Sequence, residues 1–441
     1  MTDIKNKFFS NLDKIFNEIR EKYQNIRCDT VNVGISGGAD SFCLVILLRE
    51  YAIKHGIKIK AYTVDHNLRE ESSFEAEYVH KILTKEYGIE HEILIWHHEN
   101  SNLKTGHIER AARKARYDML IDCALKNSVN LIFVAHNQDD LIETYILRRL
   151  KKSHIDGLAS ISAIRELFND IFIVRPMLNI SKKEIKNFLI EKNISWFEDQ
   201  SNYDDRFLRA KIRKFIAKRE SHENPYDSWK FRAAILKRIA FATKIRVQKE
   251  NIFKNFLNLH VRIDYNFGYA KLKIATLVML QDLKYYFLQR LIWFLGGAEY
   301  PPAYDTIFSI LSCKKTANVG KMVIKFQKDD IIIFREQKNL PSVLVKNYVN
   351  YDNRFFIQTS LQKIFVEPIN DFWLKYLFDN NYIRNFKNSF LLKGYFVILD
   401  SNKNFISCPA INAIDEEWKN KNFASLIKVK FSRKLVDFFC L

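Results

Sequence analysis

The strongest constraint on the fold is an alternation that runs through the first half of the chain. Five strand-like segments, VNVGIS (31–36), IKAYTVDH (59–66), EILIW (92–96), NLIFVAH (130–136) and IFIVRPML (171–178), are each followed by a helix-like one. The helices are expected from about Asp40, through EAEYVHKIL, through IERAARKARYDML, through Glu143 and over SKKEIKNFLIEKN. Repeated βα units of this kind predict an α/β fold, a doubly wound sheet of five parallel strands. Ligands of such sheets sit outside the carboxyl ends of the strands, and every motif considered below falls at such an end.

The first of these ends carries VGISGGADSF (33–42). A Walker A loop would place a lysine after its last glycine; here no lysine follows, and serines flank the glycine pair instead. Gly37 and Gly38 permit a backbone that turns several N–H groups toward one point, and the helix that follows adds partial positive charge at its N-terminus. With Ser36, Ala39 and Ser41 they form a candidate pyrophosphate cradle, beside which Asp40 could hold a magnesium ion bridging phosphate oxygens. A glycine pair after a strand also serves as an ordinary tight turn, but the whole S-G-G-x-D-S string is far more specific.

A chain of 441 residues accommodates two or three domains. The expected division is 1–215 for the α/β domain, 216–340 for a mainly helical domain rich in basic and aromatic residues, and 345–441 for a small mixed α+β domain. Lys and Arg number 70 against 51 for Asp and Glu, a net charge of +19, which suits a polyanionic partner such as nucleic acid, although solvated lysines alone would give the same balance. No apolar run is long enough to span a membrane, and residues 3 to 24 show helical spacing rather than a signal peptide, so the cytoplasm is the expected compartment. The six cysteines, Cys28, Cys43, Cys123, Cys313, Cys408 and Cys440, form no C-x-x-C pair and read as buried free thiols.

Three further strings carry chemistry. VDHNLREESSFEAEYV (64–79) places Asp65 and His66 at the end of the second strand, where they could contact adenosine or a metal. HIERAARKARYDML (107–120) sets Glu109, Arg113 and Arg116 on one helical face, from which a guanidinium could neutralise phosphate charge. VAHNQDDLIETYILRRL (134–150) puts Asp139 and Asp140 in the first turn of a helix and Glu143 one turn on. Acidic residues often serve there only as caps, yet Asp140 and Glu143 also make a carboxylate pair suited to magnesium or an incoming ammonium.

SGGADS resembles the signature loop of the N-type ATP pyrophosphatases. With the other strings, RPMLNISKKEI (175–185) and WFEDQSNYDDRFLRAKIR (196–213), the first half of the chain resembles the tRNA(Ile)-lysidine synthase family in order and spacing. The resemblance implies an adenine nucleotide alpha hydrolase-like PP-loop domain that uses ATP and Mg2+. It implies adenylation of the wobble cytidine of a CAU-anticodon tRNA(Ile), release of pyrophosphate, and displacement of AMP by free L-lysine. The product, lysidine, shifts codon reading from AUG to AUA and identity from methionine to isoleucine. Asp140, Glu143 and Arg113 would be catalytic; Ser36 to Ser41, Asp65 and His66 would bind ATP; Asp40 and Asp140 would hold the metal; Arg206, Arg209 and Arg213 would grip tRNA.

The sequence departs from the family pattern where Leu141 replaces a glutamine, where KKSH (151–154) replaces Arg-Gly-Ser-Gly, and where RAKIR replaces Arg-Asn. A PP-loop tRNA thiolase and a non-catalytic tRNA-binding protein are the alternative readings, while no membrane or obligate protein partner is expected.

Overall fold

The computed structural model describes residues 2–23, 26–66, 70–97, 105–168, 170–198, 208–220, 225–298, 300–383, 389–415, 418–419 and 423–431. They fall into two compact units, Met1–Val247 and Gln248–Leu441.

The first unit is built on a six-stranded sheet of β1 (Thr30–Ile35), β2 (Lys58–Asp65), β3 (Glu90–Ile95), β4 (Leu131–Phe133), β5 (Ile164–Phe168) and β6 (Ile171–Val174), in the order β3-β2-β1-β4-β6-β5. The five strands expected from the alternation are all present and parallel. The sixth, β5, is an addition: it pairs antiparallel with β6 at the edge. Its sequence, IRELF, sets two charges side by side, with Arg165 exposed and Glu166 buried, and Asp170, with φ of 66°, takes a left-handed turn position of the kind glycine fills most readily.

Successive side chains of β1 point to opposite faces, and both faces are covered. Val31, Val33 and Ile35 of β1 face a core shared with α1 (Thr2–Lys22), α2 (Ala39–His55) and, after β6, α7 (Lys182–Glu191). Gly34 faces the other way, where α4 (Thr105–Lys126) packs so closely that a Cβ would lie 3.2 Å from Leu120 Cδ1. Between α2 and α4 in sequence comes α3 (Glu70–Lys81), and β4 leads into α5 (Gln138–Leu150). Strand order reverses between β1 and β4, so the loop after β1 and the start of α5 flank the topological switch point, the crevice where open α/β sheets take their ligands.

After α5 the chain turns through residues 151–160, which hold the short helix α6 (Ile155–Leu158). Arg148 fastens this turn by donating from Nη1 to the carbonyls of Gly157 (2.6 Å) and Ser160 (3.1 Å), and the Ser160 hydroxyl donates to Leu141 O at 2.8 Å. Lys152 stands where the resembled family has glycine and takes φ of 53°, whereas His154, at the second glycine position, has φ of −61°. A side chain in the left-handed region costs roughly 1–2 kcal/mol. Glycine also loosens the unfolded chain, which offsets part of the relief. Lys152→Gly should therefore stabilise the protein by about 0.5–1 kcal/mol, and His154→Gly should not; the midpoint of urea unfolding reads both.

Beyond α5 the first unit adds α8 (Leu208–Glu220) and the long α9 (Pro225–His260), within which the division between units falls. Leu141 packs against the apolar cluster of Ile142, Tyr145, Ile212 and Ile216, so its replacement of glutamine serves α5–α8 packing.

The second unit contains more strand than the sequence suggests for residues 216–340. Besides α10 (Leu283–Gly296) and α11 (Tyr304–Cys313) it has a five-stranded antiparallel sheet, β7 (Val261–Asp264), β8 (Tyr269–Lys273), β9 (Ala317–Val319), β10 (Met322–Gln327) and β11 (Asp330–Arg335). The β7–β8 hairpin was hidden because its strands are short and carry exposed charge. A second five-stranded sheet and a three-stranded one follow, with a helix over DFWLKYLF at Asp371–Asp379. One buried cluster runs from Phe253 to Phe431.

Inside this unit Asp352, Arg335 and Arg354 have side chains no more than 2% exposed. Asp352 accepts from Arg335 Nε (2.8 Å) and Nη2 (3.1 Å) and from Arg354 Nε (2.8 Å). Burial pushes the Asp352 carboxyl up, but the Arg335 hydrogen bonds and the guanidinium charges outweigh it and hold the group below the usual range. Removing it strands two buried cations, so Asp352→Ala should cost about 3–5 kcal/mol in urea unfolding. The lowered carboxyl contributes stability above its unfolded pKa, and this is lost as pH falls through the folded value, so the deficit of the variant should shrink in strong acid.

Candidate active site

The loop after β1 is shaped by sterics. Gly37 has φ of 78°, and a Cβ there would sit 3.2 Å from both the Phe197 ring and a Val79 methyl, so only glycine fits. Its carbonyl accepts the Phe197 N–H at 3.0 Å, which lays the 197 segment over the loop. Gly38 is the N-cap of α2 and supplies no side-chain cap, leaving that N-terminus to a ligand. Ser41, expected as a hydroxyl donor to phosphate, is instead a brace: its hydroxyl donates to Gly38 O (2.8 Å) and accepts from Ser36 N–H (3.3 Å). Ser36 is exposed and Ala39 buried, so Ala39 can offer a ligand only its backbone.

Asp40, in the first turn of α2, accepts from Lys182 Nζ at 2.6 Å through Oδ2, while its Oδ1 is buried with no hydrogen-bond partner. Opposite, α5 begins in a capping box: Asn137 Oδ1 accepts from the N–H groups of Asp139 (2.9 Å) and Asp140 (3.1 Å), and Asp140 Oδ2 accepts from Asn137 N–H (3.0 Å). Asp139 is fully engaged, taking the backbone N–H of Lys182 (2.7 Å) and the guanidinium of Arg232 (2.7 Å). It is thus a joint between α5, α7 and α9 rather than a ligand donor.

Glu143, 7% exposed, accepts from Arg213 Nε at 2.7 Å. Arg213, read from sequence as a tRNA grip, is therefore turned onto the acidic cluster. Arg209 is exposed, and Arg206 lies outside the described residues. Burial raises the Asp140 carboxyl above its usual range and the charge of Asp40 adds to it, against the Asn137 N–H, Arg213 and Lys182. Burial likewise raises Glu143 in spite of Arg213.

The other wall is basic. Both oxygens of Asp65 are taken by the hydroxyls of Ser72 (2.6 Å) and Ser73 (2.7 Å), so this carboxylate organises the entry to α3. Arg116 reaches His66 Nε2 at 3.0 Å. Burial and then the Arg116 charge lower His66 to about 4, so the ring is neutral; a guanidinium only donates, which leaves the ring proton on Nδ1, buried and without a partner. His136, at the end of the fourth strand, is lowered to about 3 by burial and then by Arg175, Arg113, Arg209 and Arg116. Four guanidiniums thus converge where polyanion charge would arrive. Arg113 is exposed and lies over the Tyr117 ring, and the side chain of Glu109 is outside the described residues.

Sequence reading missed His136, Arg175 and Lys182, although all three stand in strings it quoted. The detectable signal was position, because each follows a strand end. Among the described residues no group of three or more His, Cys, Asp or Glu could hold a metal, so an ion bound by Asp40 and Asp140 would take its remaining ligands from phosphate or water. The free Oδ1 of Asp40 fits that arrangement. Among the described residues no helix is long and apolar enough to cross a membrane.

This site belongs to a PP-loop domain, whose family model matches residues 6–220. The tRNA(Ile)-lysidine synthase of Wolbachia pipientis wMel is 32% identical over 338 residues, 74% of this chain and 76% of that protein. The enzyme of that name from Rickettsia felis is 30% identical over 353 residues, 76% of each chain. The chain belongs to the tRNA(Ile)-lysidine synthase family, ATP-dependent ligases built on a PP-loop domain. The solved structure of the U34-tRNA thiolase NcsA from Methanococcus maripaludis is 16% identical over 49% of this chain and 72% of that one, with a TM-score of 0.39.

The raised carboxyl makes a stability prediction. A native state that holds the Asp140 proton more tightly than the unfolded chain loses stability as pH rises from the unfolded toward the folded pKa. Asp140→Asn, which can still accept from Asn137, should therefore raise the melting temperature at pH 7, with the gain fading as pH falls below 4. A gain independent of pH would contradict the assignment.

Proposed function

We propose that this chain ligates free L-lysine to C2 of the wobble cytidine of CAU-anticodon tRNA(Ile), through a tRNA adenylate formed from ATP with release of pyrophosphate. The observation that carries the reading is the meeting of Asp40, Asp140 and Glu143 across the switch point, beside an uncapped glycine loop, in a chain of this family.

In the first step the cytidine O2 attacks the α-phosphorus and the bond to pyrophosphate breaks. The loop N–H groups from Gly37 to Asp40 hold the departing pyrophosphate, and Arg113 steadies phosphate charge with Arg175 and Arg116. Asp40 and Asp140 would hold Mg2+, which neutralises phosphate charge when bound. In the second step the lysine Nε attacks C2 and the C2–O bond to AMP breaks. Lysine must react as a neutral amine, and carboxylates kept above their usual range by burial are suited to hold its ammonium and take a proton. Glu143 and Asp140 have that role; Arg213 sets the Glu143 carboxylate. Exposed Arg209 contacts the tRNA, and the +19 balance supplies the electrostatic part of binding.

A thiolase would need a reactive thiolate. Burial instead raises Cys43 far above its usual value, Cys123 to about 11 and Cys408 to about 12. Cys28 is raised too, Cys313 is exposed rather than buried, and Cys440 lies outside the described residues.

The test is mass spectrometry of the wobble nucleoside after incubation with a CAU-anticodon tRNA(Ile) transcript, ATP, Mg2+ and labelled lysine. The expected product is a lysine-sized addition that requires ATP. Glu143→Gln should slow its formation by about 100-fold or more. Binding and pyrophosphate release without the addition would overturn the choice of lysine.

A further inference from the structure

Lys182 is placed by more contacts than a surface lysine needs. It is the first residue of α7, whose N-cap Ser181 accepts from Glu184 N–H at 3.3 Å and donates to Glu184 Oε2 at 2.6 Å. Glu184 Oε1 in turn takes Lys7 Nζ from α1 at 2.6 Å. The backbone N–H of Lys182 is held by Asp139 Oδ2 at 2.7 Å. The main chain is therefore fixed from α1 and α5, while the side chain, 42% exposed, crosses to Asp40 Oδ2 at 2.6 Å. One carboxylate oxygen is filled by this ammonium and the other is buried without a partner.

We propose that Lys182 is a counter-ion switch: in the free enzyme its ammonium occupies Asp40, and arrival of the ATP phosphates draws it away, opening Asp40 to a divalent cation. The proposal rests on the reading that the loop holds ATP and that Asp40 binds the cation. Its physical basis is exclusion. A divalent ion on Asp40 and an ammonium 2.6 Å from the same carboxylate would repel each other and compete for the same oxygens. The incoming phosphates present a stronger anion to a cation whose backbone is already fixed, so the lysine loses only side-chain freedom in moving. Cation and nucleotide are then admitted together, and a free ion does not settle in the empty site.

The experiment uses the full chain and Mn2+ as probe, measured by electron paramagnetic resonance without nucleotide. Lys182→Met should bind Mn2+ at least tenfold more tightly than the wild type, and adding Asp40→Asn to it should abolish the gain. Lys182→Arg, which keeps the cation, should stay as weak as the wild type. The non-hydrolysable analogue α,β-methylene-ATP with Mn2+ should bind the wild type and bind Lys182→Met at least tenfold more weakly.

Equal Mn2+ affinity in wild type and Lys182→Met, with the analogue still bound by the wild type, would overturn the switch and leave the ATP site standing. Failure of the wild type to bind the analogue would overturn the reading of the loop and the switch with it. Should Lys182→Met not fold, Asp40→Asn in EDTA is decisive: its freed lysine should raise analogue affinity over wild type, and unchanged affinity overturns the proposal.

Discussion

The carboxylate of Asp139 is the contact on which the site depends. By accepting a backbone N–H from the start of α7 and a guanidinium from α9, it fixes three helices at the carboxyl edge of the sheet. Asp140 is thereby turned inward beside Asn137, and Lys182 is brought within reach of Asp40. Geometry of this kind is inexpensive for a fold with parallel strands, because helix starts and strand ends already meet at one edge. What the sequence adds is a set of charges that the edge does not fully satisfy: an orphan oxygen on Asp40, an orphan Nδ1–H on His66 and two carboxyls raised by burial. These groups cost stability in the free protein, as buried polar groups at functional sites generally do.

The two walls of the crevice divide the chemistry between them. Guanidiniums of Arg113, Arg116 and Arg175 act on a neutral histidine, Arg209 acts on both that histidine and Glu143, and Asp40, Asp140 and Glu143 form the acidic side. A polyanionic nucleotide and a cationic amine, which would neutralise each other in water, can so be held side by side with opposite ends apart.

The five parallel strands were legible because their apolar runs have the length and spacing of βα units, and the glycine loop was legible because Gly37 has no steric alternative. β5 was not, since IRELF at the sheet edge, with its adjacent charges, lacks the period-two apolar pattern by which a strand is read. The acidic residues were correctly placed at a strand end, but their division of labour was not readable: nothing in DDLIE tells that Asp139 binds α7 and α9 while Asp140 stays inward. Arg213 was expected to grip tRNA, and only its partner Glu143, 70 residues away in sequence, shows where its guanidinium is turned. The same limit hid Lys182, whose meaning lies in a contact across 142 residues. Spacing reports which residues share a face; it does not report what the fold brings against that face.

In the proposed reaction one crevice performs two successive displacements with a tRNA-bound adenylate between them. The most direct measurement is a single-turnover reaction with ATP labelled at the α-phosphate, in the absence of lysine, followed by recovery of the CAU-anticodon tRNA(Ile). The proposed reaction requires label on the tRNA at the wobble nucleoside, discharged as AMP when lysine is added. Label that never appears on tRNA, with AMP formed only when lysine is present and lysine itself carrying the label, would contradict it.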